Sequence, residues 1–279
     1  MMLTRWILAL LGASGLLSAC RTGRNYPDAS GPRFAGAPDA DHAPSRDRVG
    51  TLRIVSFNIA FAKHVAGAIE LLKSEPALRD ADVMLLQEMD GESTARVARA
   101  LGLWYVYYPA IFHNRTKRDF GNAVLSRWPI TADAKLVLPH VSRYAGTQRI
   151  ATIATILVGD TPLRVYSTHL STIADGGAGV RRDQLRAIVE DAAASPRVII
   201  GGDLNTADVS WVAREHGYAW PSEEGPHTTR FGRWDHIFLK GLTVADSAGA
   251  GTVLDARGTS DHRPIWARVQ LSADPSREP

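Results

Sequence analysis

Residues 150–169 read IATIATILVGDTPLRVYSTH, and this stretch decides the fold class. It holds two β-rich runs, Ile150–Leu157 and Leu163–Thr168, with no helical segment between them. A doubly wound parallel sheet needs a helix between successive strands, so strands that follow one another directly point to mixed sheets. Outward from this pair, short β-rich runs are expected at Leu52–Asn58, Val83–Leu86, Asn122–Leu125, Val198–Ile200, Ile237–Leu239 and Ile265–Val269. Helical spacing of apolar residues appears at Val65, Ile69 and Leu72, and again at Leu185, Ile188, Val189 and Ala192.

The 279 residues are 45% hydrophobic and 22% charged, enough for one sizeable core. The net charge of +3 is small, and it does not argue for nucleic acid, because any phosphate site needs local cations whatever the total. The single cysteine, Cys20, excludes an intramolecular disulfide framework and a zinc site built from several thiolates. It closes a segment with the shape of an export signal: Arg5, the apolar run Trp6–Leu17, then small residues. That run is short for a membrane span. Leu17, Ser18, Ala19 and Cys20 resemble a bacterial lipobox, which implies a signal peptide over 1–19 and lipid on Cys20. Arg21 follows, and by the same resemblance the expected location is the outer membrane and periplasm. Residues 20–48, rich in Pro, Gly, Ala, Asp and Arg, read as a lipidated cysteine and flexible tether. One folded domain is expected over 49–272 and a polar tail over 273–279, the whole as a monomer.

Polar residues fall at the ends of the β-rich runs. Leu52–Phe57 runs into Asn58, Val83–Leu86 into Gln87 and Glu88, and Leu163–Thr168 into His169. Val198–Ile200 passes through two glycines into Asp203, with Asn205 beyond, while Asp235 and His262 stand just before β-rich runs. A buried strand delivers its terminal side chain to the rim of its sheet at a defined position. Asp, Asn and Gly also close strands for turn reasons, so each of these alone carries little. Together they form a set: oxygen donors from Glu88, Asp261 and Asn58 suit Mg2+ or Mn2+, and histidines paired with carboxylates suit proton transfer near neutral pH.

The stretches IVSFNIA, LLQEMD, RDFGNAVLSR, YSTHLS, GGDLNT, RWDHIF and TSDHRP, in this order, resemble the endonuclease/exonuclease/phosphatase superfamily over roughly residues 50–270. The resemblance implies an α+β fold of the deoxyribonuclease-I-like kind, a four-layer α/β/β/α sandwich of two mixed β-sheets with flanking helices. It implies Glu88 as the main metal carboxylate, with Asn58 and Asp261 beside the same ion. By it, His262 is the general base, oriented by Asp235, while Asp203 positions the nucleophile or assists proton transfer. His169 and Asn205 donate to the phosphoryl oxygens, and Asn122 supports the scissile phosphate. His236 faces away without a role, and Gln87 is structural.

Among the basic residues of the expected rim loops, Arg118 and Arg149 flank motif strands and are the candidates for contacting substrate phosphate. No continuous basic tract interleaved with aromatics marks a dedicated nucleic-acid channel. The expected activity is Mg2+-dependent hydrolysis of a phosphoester in nucleic acid, a phospholipid headgroup or a small organophosphate. The alternative is a catalytically inactive surface binding module of the same fold, which would not require the whole set of acidic and imidazole residues.

Overall fold

The structure, a computed structural model, describes residues 23–39, 50–246 and 249–271. The expected signal peptide, Cys20 and the polar tail over 273–279 lie outside the described residues. No helix among the described residues is long and apolar enough to cross a membrane.

The strands are β1 (Gly23–Asn25), β2 (Phe34–Gly36), β3 (Thr51–Asn58), β4 (Val83–Met89), β5 (Trp104–His113), β6 (Arg118–Ser126), β7 (Ile130–Val141), β8 (Gln148–Val158), β9 (Thr161–His169), β10 (Val198–Asp203), β11 (Asp235–Lys240), β12 (Leu242–Val244), β13 (Ala250–Thr252) and β14 (Ile265–Leu271). The α-helices are α1 (Val65–Ser74), α2 (Gly91–Leu101), α3 (Ala178–Asp191) and α4 (Ser210–Glu215). One sheet runs β1-β5-β6-β4-β3-β14-β12, with β2 also on β5 and β13 on β14; the other runs β11-β10-β9-β8-β7. Both are mixed: β3 pairs parallel with β4 and β9 parallel with β10, while the remaining pairs are antiparallel.

Period-two alternation explains the layering. In β3, Leu52 and Ile54 belong to the core between the sheets, whereas Val55 and Phe57 pack outward with Leu71 and Leu72 of α1. In β10, Ile199 enters the same central core, and Val198 and Ile200 pack outward with Leu185 and Ile188 of α3. Central strands buried on both faces read as unbroken apolar runs, which is why β3, β4 and β10 stand out in the sequence. Three apolar layers between four layers of structure make the expected α/β/β/α sandwich.

The tether reading is corrected over residues 23–39. β1 pairs with Ile111–His113 and β2 with Tyr105–Tyr107, together covering the free edge of β5. Composition could not reveal this because the attachment is polar. Asn25 donates to the Gly146 carbonyl at 2.8 Å and accepts from the Gln148 amide at 2.9 Å. The buried Lys135 ammonium donates to the carbonyls of Tyr26 and Gly31 at 3.0 and 2.5 Å. The strands β5 and β7 and the helix α2 also exceed the sequence expectation; β5 carries Pro109 in its middle, at a register shift.

Candidate active site

Three neighbouring strand ends align the first group of residues. Asp203, the last residue of β10, stands in register with His169 at the end of β9 on one side and with Asp235 at the start of β11 on the other. Gly202, at φ 146°, makes this register possible, because a Cβ there would run into the Thr168 carbonyl oxygen. His262 comes from the loop before β14. That loop is fixed by Ser260, whose hydroxyl donates to the Asn58 carbonyl at 2.7 Å and accepts from the His262 amide at 3.0 Å.

His262 Nδ1 lies 2.9 Å from Asp235 Oδ2, and its Nε2 lies 3.6 Å from Asp203 Oδ2. Burial opposes a charge on this imidazole, but Asp235 and Asp203 outweigh it and push its pKa up to about 10. Burial, then repulsion from Asp235, raises Asp203 to about 7. His169 Nε2 is 3.4 Å from Asp203 Oδ2; burial and the nearby Arg149 and His262 charges hold this imidazole neutral, well below the ordinary histidine range. Its Nδ1 is buried without a hydrogen-bond partner. Asn205, at φ 55°, donates from its backbone to Asp203 Oδ1 at 2.9 Å and from its side chain to the Leu170 carbonyl at 3.1 Å.

The second group comes from the other sheet. A register shift between Leu86 and Met89 interrupts β4, and Glu88 sits there at φ 58°. Such an irregularity re-aims a side chain out of the ladder. Glu88 accepts from Asn58 Nδ2 at 3.2 Å and from the Phe61 amide at 3.0 Å. Burial lifts its pKa, Asn58 and His262 oppose the shift, and the like charge of Asp261 adds to it. Glu88, Ser260 and the exposed Asp261 share a cavity of about 460 Å³.

Two acidic groups here have a donor set suited to a divalent cation. One is Asp203, Asp235 and His262, whose ligand atoms lie within 4.8 Å of one another. These are buried, and His262 is already bonded to Asp235, so little room remains for the waters a hard cation keeps. Glu88 and Asp261 supply carboxylates lining an open cavity, and that pair fits better; the expected third donor, Asn58, is buried behind them with its Oδ1 bonded to the Ala60 amide and its Nδ2 turned to Glu88.

The remaining sequence candidates divide. Arg149 joins the site: it is buried, pairs with Asp175 at 3.6 Å, and feels the charges of Asp203 and Glu88. Arg118 is instead held by Asp90 and by Ser93 Oγ at the start of α2, away from this cluster. Asn122 bridges the sheets, its side chain donating to the Ile150 carbonyl at 3.0 Å; its buried Oδ1 has no partner. Gln87 also crosses between the sheets, donating to Ser167 Oγ at 3.0 Å. His236 is fully buried, with Nε2 2.9 Å from the Thr206 carbonyl and its pKa lowered to about 4 by burial.

The sequence reading missed Asp175 and the aromatic wall made by Phe61 and Phe120. Phe61 follows Asn58 closely, in a run of three positive φ values (Ala60 39°, Phe61 58°, Ala62 48°), strained for residues with a Cβ. Its ring packs 5.0 Å from Phe120, which lies 5.9 Å from His169. No pattern in the sequence announces left-handed backbone at alanine and phenylalanine.

Solved structures share this architecture. An endonuclease/exonuclease/phosphatase from Beutenbergia cavernae is 22% identical with a TM-score of 0.63, covering 80% of this chain and 72% of its own. D. rerio TDP2 complexed with a single-strand DNA product is 20% identical with a TM-score of 0.62, over 79% of this chain and 99% of its own. The human nocturnin catalytic domain with a bound sulfate is 18% identical with a TM-score of 0.61, over 80% and 95%. No curated protein matches the chain in sequence. The model described as Endonuclease/Exonuclease/phosphatase family matches residues 55–262, from inside β3 to the histidine paired with Asp235, and the chain belongs to that family.

Proposed function

We propose that the chain is a hydrolase that cleaves phosphoester bonds with Mg2+, or with Mn2+ in its place, held by Glu88 and Asp261, with Asn58 behind them. The observation that carries this reading is the buried line Asp235–His262–Asp203 ending beside the Glu88 and Asp261 cavity. When bound, the cation supplies Lewis-acid polarisation of the phosphoryl oxygen and stabilises charge on the leaving oxygen.

The protein's own groups do the rest. Asp235 holds the Nδ1 proton of His262 and turns Nε2 toward Asp203 and the water; because the two carboxylates favour the protonated imidazole, Nε2 must lose its proton before it can take one from that water. Asp203 orients that water from the opposite side. His169, kept neutral, donates one N–H to a phosphoryl oxygen, and Asn205, anchored to the Leu170 carbonyl, uses its second amide hydrogen in the same way. Arg149 adds a buried positive charge facing the phosphate. We further propose export and anchoring through Cys20, supported by the lipobox-like LSAC of residues 17–20.

The test is turnover of bis-p-nitrophenyl phosphate, p-nitrophenyl phosphate, single-stranded DNA and a phospholipid headgroup ester, with Mg2+ or with chelator, by the full chain in detergent. Metal-dependent turnover that falls at least about a hundredfold in His262→Ala and in Glu88→Ala is expected. Near-normal turnover in either variant would overturn the assigned site. Absence of turnover on every substrate would favour the inactive binding module.

A further inference from the structure

Beside the cavity that holds Glu88 and Asp261 lies a larger one of about 590 Å³, between the entry to α1 and the first turns of α2. The two share Lys63, His64, Gly258 and Thr259, so the larger cavity adjoins the one lined by the proposed metal carboxylates. Its lining carries Lys63, Arg96, Arg118 and Arg257 against one carboxylate, Glu92. A solvated surface intersperses charges of both signs; a concavity walled by one sign concentrates potential and attracts the opposite charge.

The four cations are not equivalent. Arg118 is held by Asp90 and Ser93, and Arg257 by Ser74 and Glu75. Among the described residues, the Lys63 ammonium has only the Phe61 ring, at 5.1 Å. Arg96 projects from α2 into the cavity with no ion pair or hydrogen bond to any described residue. Two uncommitted cations thus stand beside a site whose own carboxylates repel anions unless a metal covers them.

We propose that Lys63 and Arg96 form a second phosphate subsite, which takes a phosphate group of the substrate next to the one that is cleaved. This rests on the phosphoester reading of the neighbouring site and narrows it to substrates bearing at least two phosphates. A nucleic-acid strand and a small bisphosphate both present that chemistry.

Binding to the full chain in detergent, measured with Ca2+ in place of Mg2+ so that Glu88 and Asp261 are covered, and with the probes checked to be recovered intact, separates these cases. The probes are thymidine 5′-monophosphate, thymidine 3′,5′-bisphosphate and a tetrathymidylate. Wild-type protein is expected to bind the bisphosphate or the tetranucleotide at least about tenfold more tightly than the monophosphate. A Lys63→Ala, Arg96→Ala double variant is expected to lose that gain and keep monophosphate binding within about twofold. Loss confined to the tetranucleotide identifies strand phosphates; loss with the bisphosphate identifies a small ligand. Lys63→Arg with Arg96→Lys is expected to retain the gain, and unfolding midpoints check that every variant is folded. No wild-type preference for the second phosphate, or equal loss of all three probes, would overturn the subsite. Turnover of the same probes with Mg2+ then reports separately on the parent reading: a second-phosphate preference without turnover leaves the subsite standing and removes the hydrolase.

Discussion

Asn58 Nδ2 lies 3.1 Å from Asp203 Oδ2, a hydrogen bond that joins the end of β3 in one sheet to the end of β10 in the other. The same amide donates to Glu88, and Oδ1 accepts from the Ala60 amide, so one side chain holds both halves of the site. Asn58→Asp replaces the donor by a third carboxylate facing two others. Breaking such a buried arrangement costs about 3 kcal/mol, whereas Asn58→Ala only removes the donor, for about 1–3 kcal/mol. Urea unfolding is expected to rank wild type above Asn58→Ala above Asn58→Asp, and Mg2+ to restore part of the loss in Asn58→Asp alone. Equal stability of the two variants without metal would show that the carboxylates do not meet at this point.

The paired glycines before Asp203 are expected to differ in their tolerance of a methyl group. At Gly202 the obstacle is the Thr168 backbone and the φ is 146°, so alanine is strained and clashing at once. At Gly201 the nearest obstacle is the far end of the buried Leu85 side chain, with the His236 carbonyl oxygen at 3.2 Å behind it. Gly201→Ala should cost about 1–3 kcal/mol as overpacking. Gly202→Ala should cost more and also abolish turnover, by displacing Asp203 from His169 and Asp235. Comparable stability of the two variants would contradict the register described.

The sequence announces those residues whose position follows from a strand's end. Asn58, His169 and Asp203 close apolar runs, and the sheet register brings His169, Asp203 and Asp235 side by side. Glu88 also stands out as a carboxylate, but its aim depends on an irregularity in β4 that apolar periodicity does not register. Arg118 and Arg149 look alike in sequence; only the fold shows one taken by Asp90 and the other buried beside Asp203. β1 and β2 stay hidden for a different reason. Their attachment rests on backbone pairing with β5 and on Asn25, Lys135 and Arg33, whereas a hydrophobicity reading weighs only apolar side chains.

Arg33, just before β2, clamps Asp133 of β7 with two hydrogen bonds of 2.6 Å, and Tyr108 donates to the same carboxylate at 2.6 Å. Arg33 holds the Asp133 pKa below the usual carboxylate range, against the effect of burial. A depressed carboxylate contributes stability in full above its unfolded pKa of about 3.9 and loses it as pH falls through the folded value. With 47% of the Arg33 side chain exposed, solvent screening limits the pair to about 1 kcal/mol. Arg33→Ala should therefore be about that much less stable at pH 7, with the gap closing below about pH 4. A gap that persists unchanged at pH 3 would assign the effect to packing.

Only Arg21 and Thr22 separate Cys20 from β1. If lipid is attached at Cys20, three residue steps place Gly23, the start of β1, within about 11 Å of the anchor, so the domain would sit close against the bilayer. Cys20→Ser is expected to move the protein from the detergent-extracted membrane fraction to the soluble one and leave its unfolding midpoint unchanged. Membrane association that survives this substitution would rule out anchoring at Cys20.

Thermal unfolding can decide which acidic group takes the cation, without recourse to activity. A ligand that binds only the folded state stabilises it by about 2.7 kcal/mol at a hundred times its dissociation constant. Mg2+ should therefore raise the midpoint of the wild-type protein and chelator should lower it again. In Glu88→Ala the remaining Asp261 and Asn58 offer one carboxylate, and the shift should vanish. Asp235→Asn removes a charge from the Asp203, Asp235 and His262 group while keeping its shape, and here the Mg2+ shift should persist although the His262 pairing is weakened. The opposite pattern, with the shift lost in Asp235→Asn and kept in Glu88→Ala, would move the cation to the buried group and leave Glu88 without its proposed role.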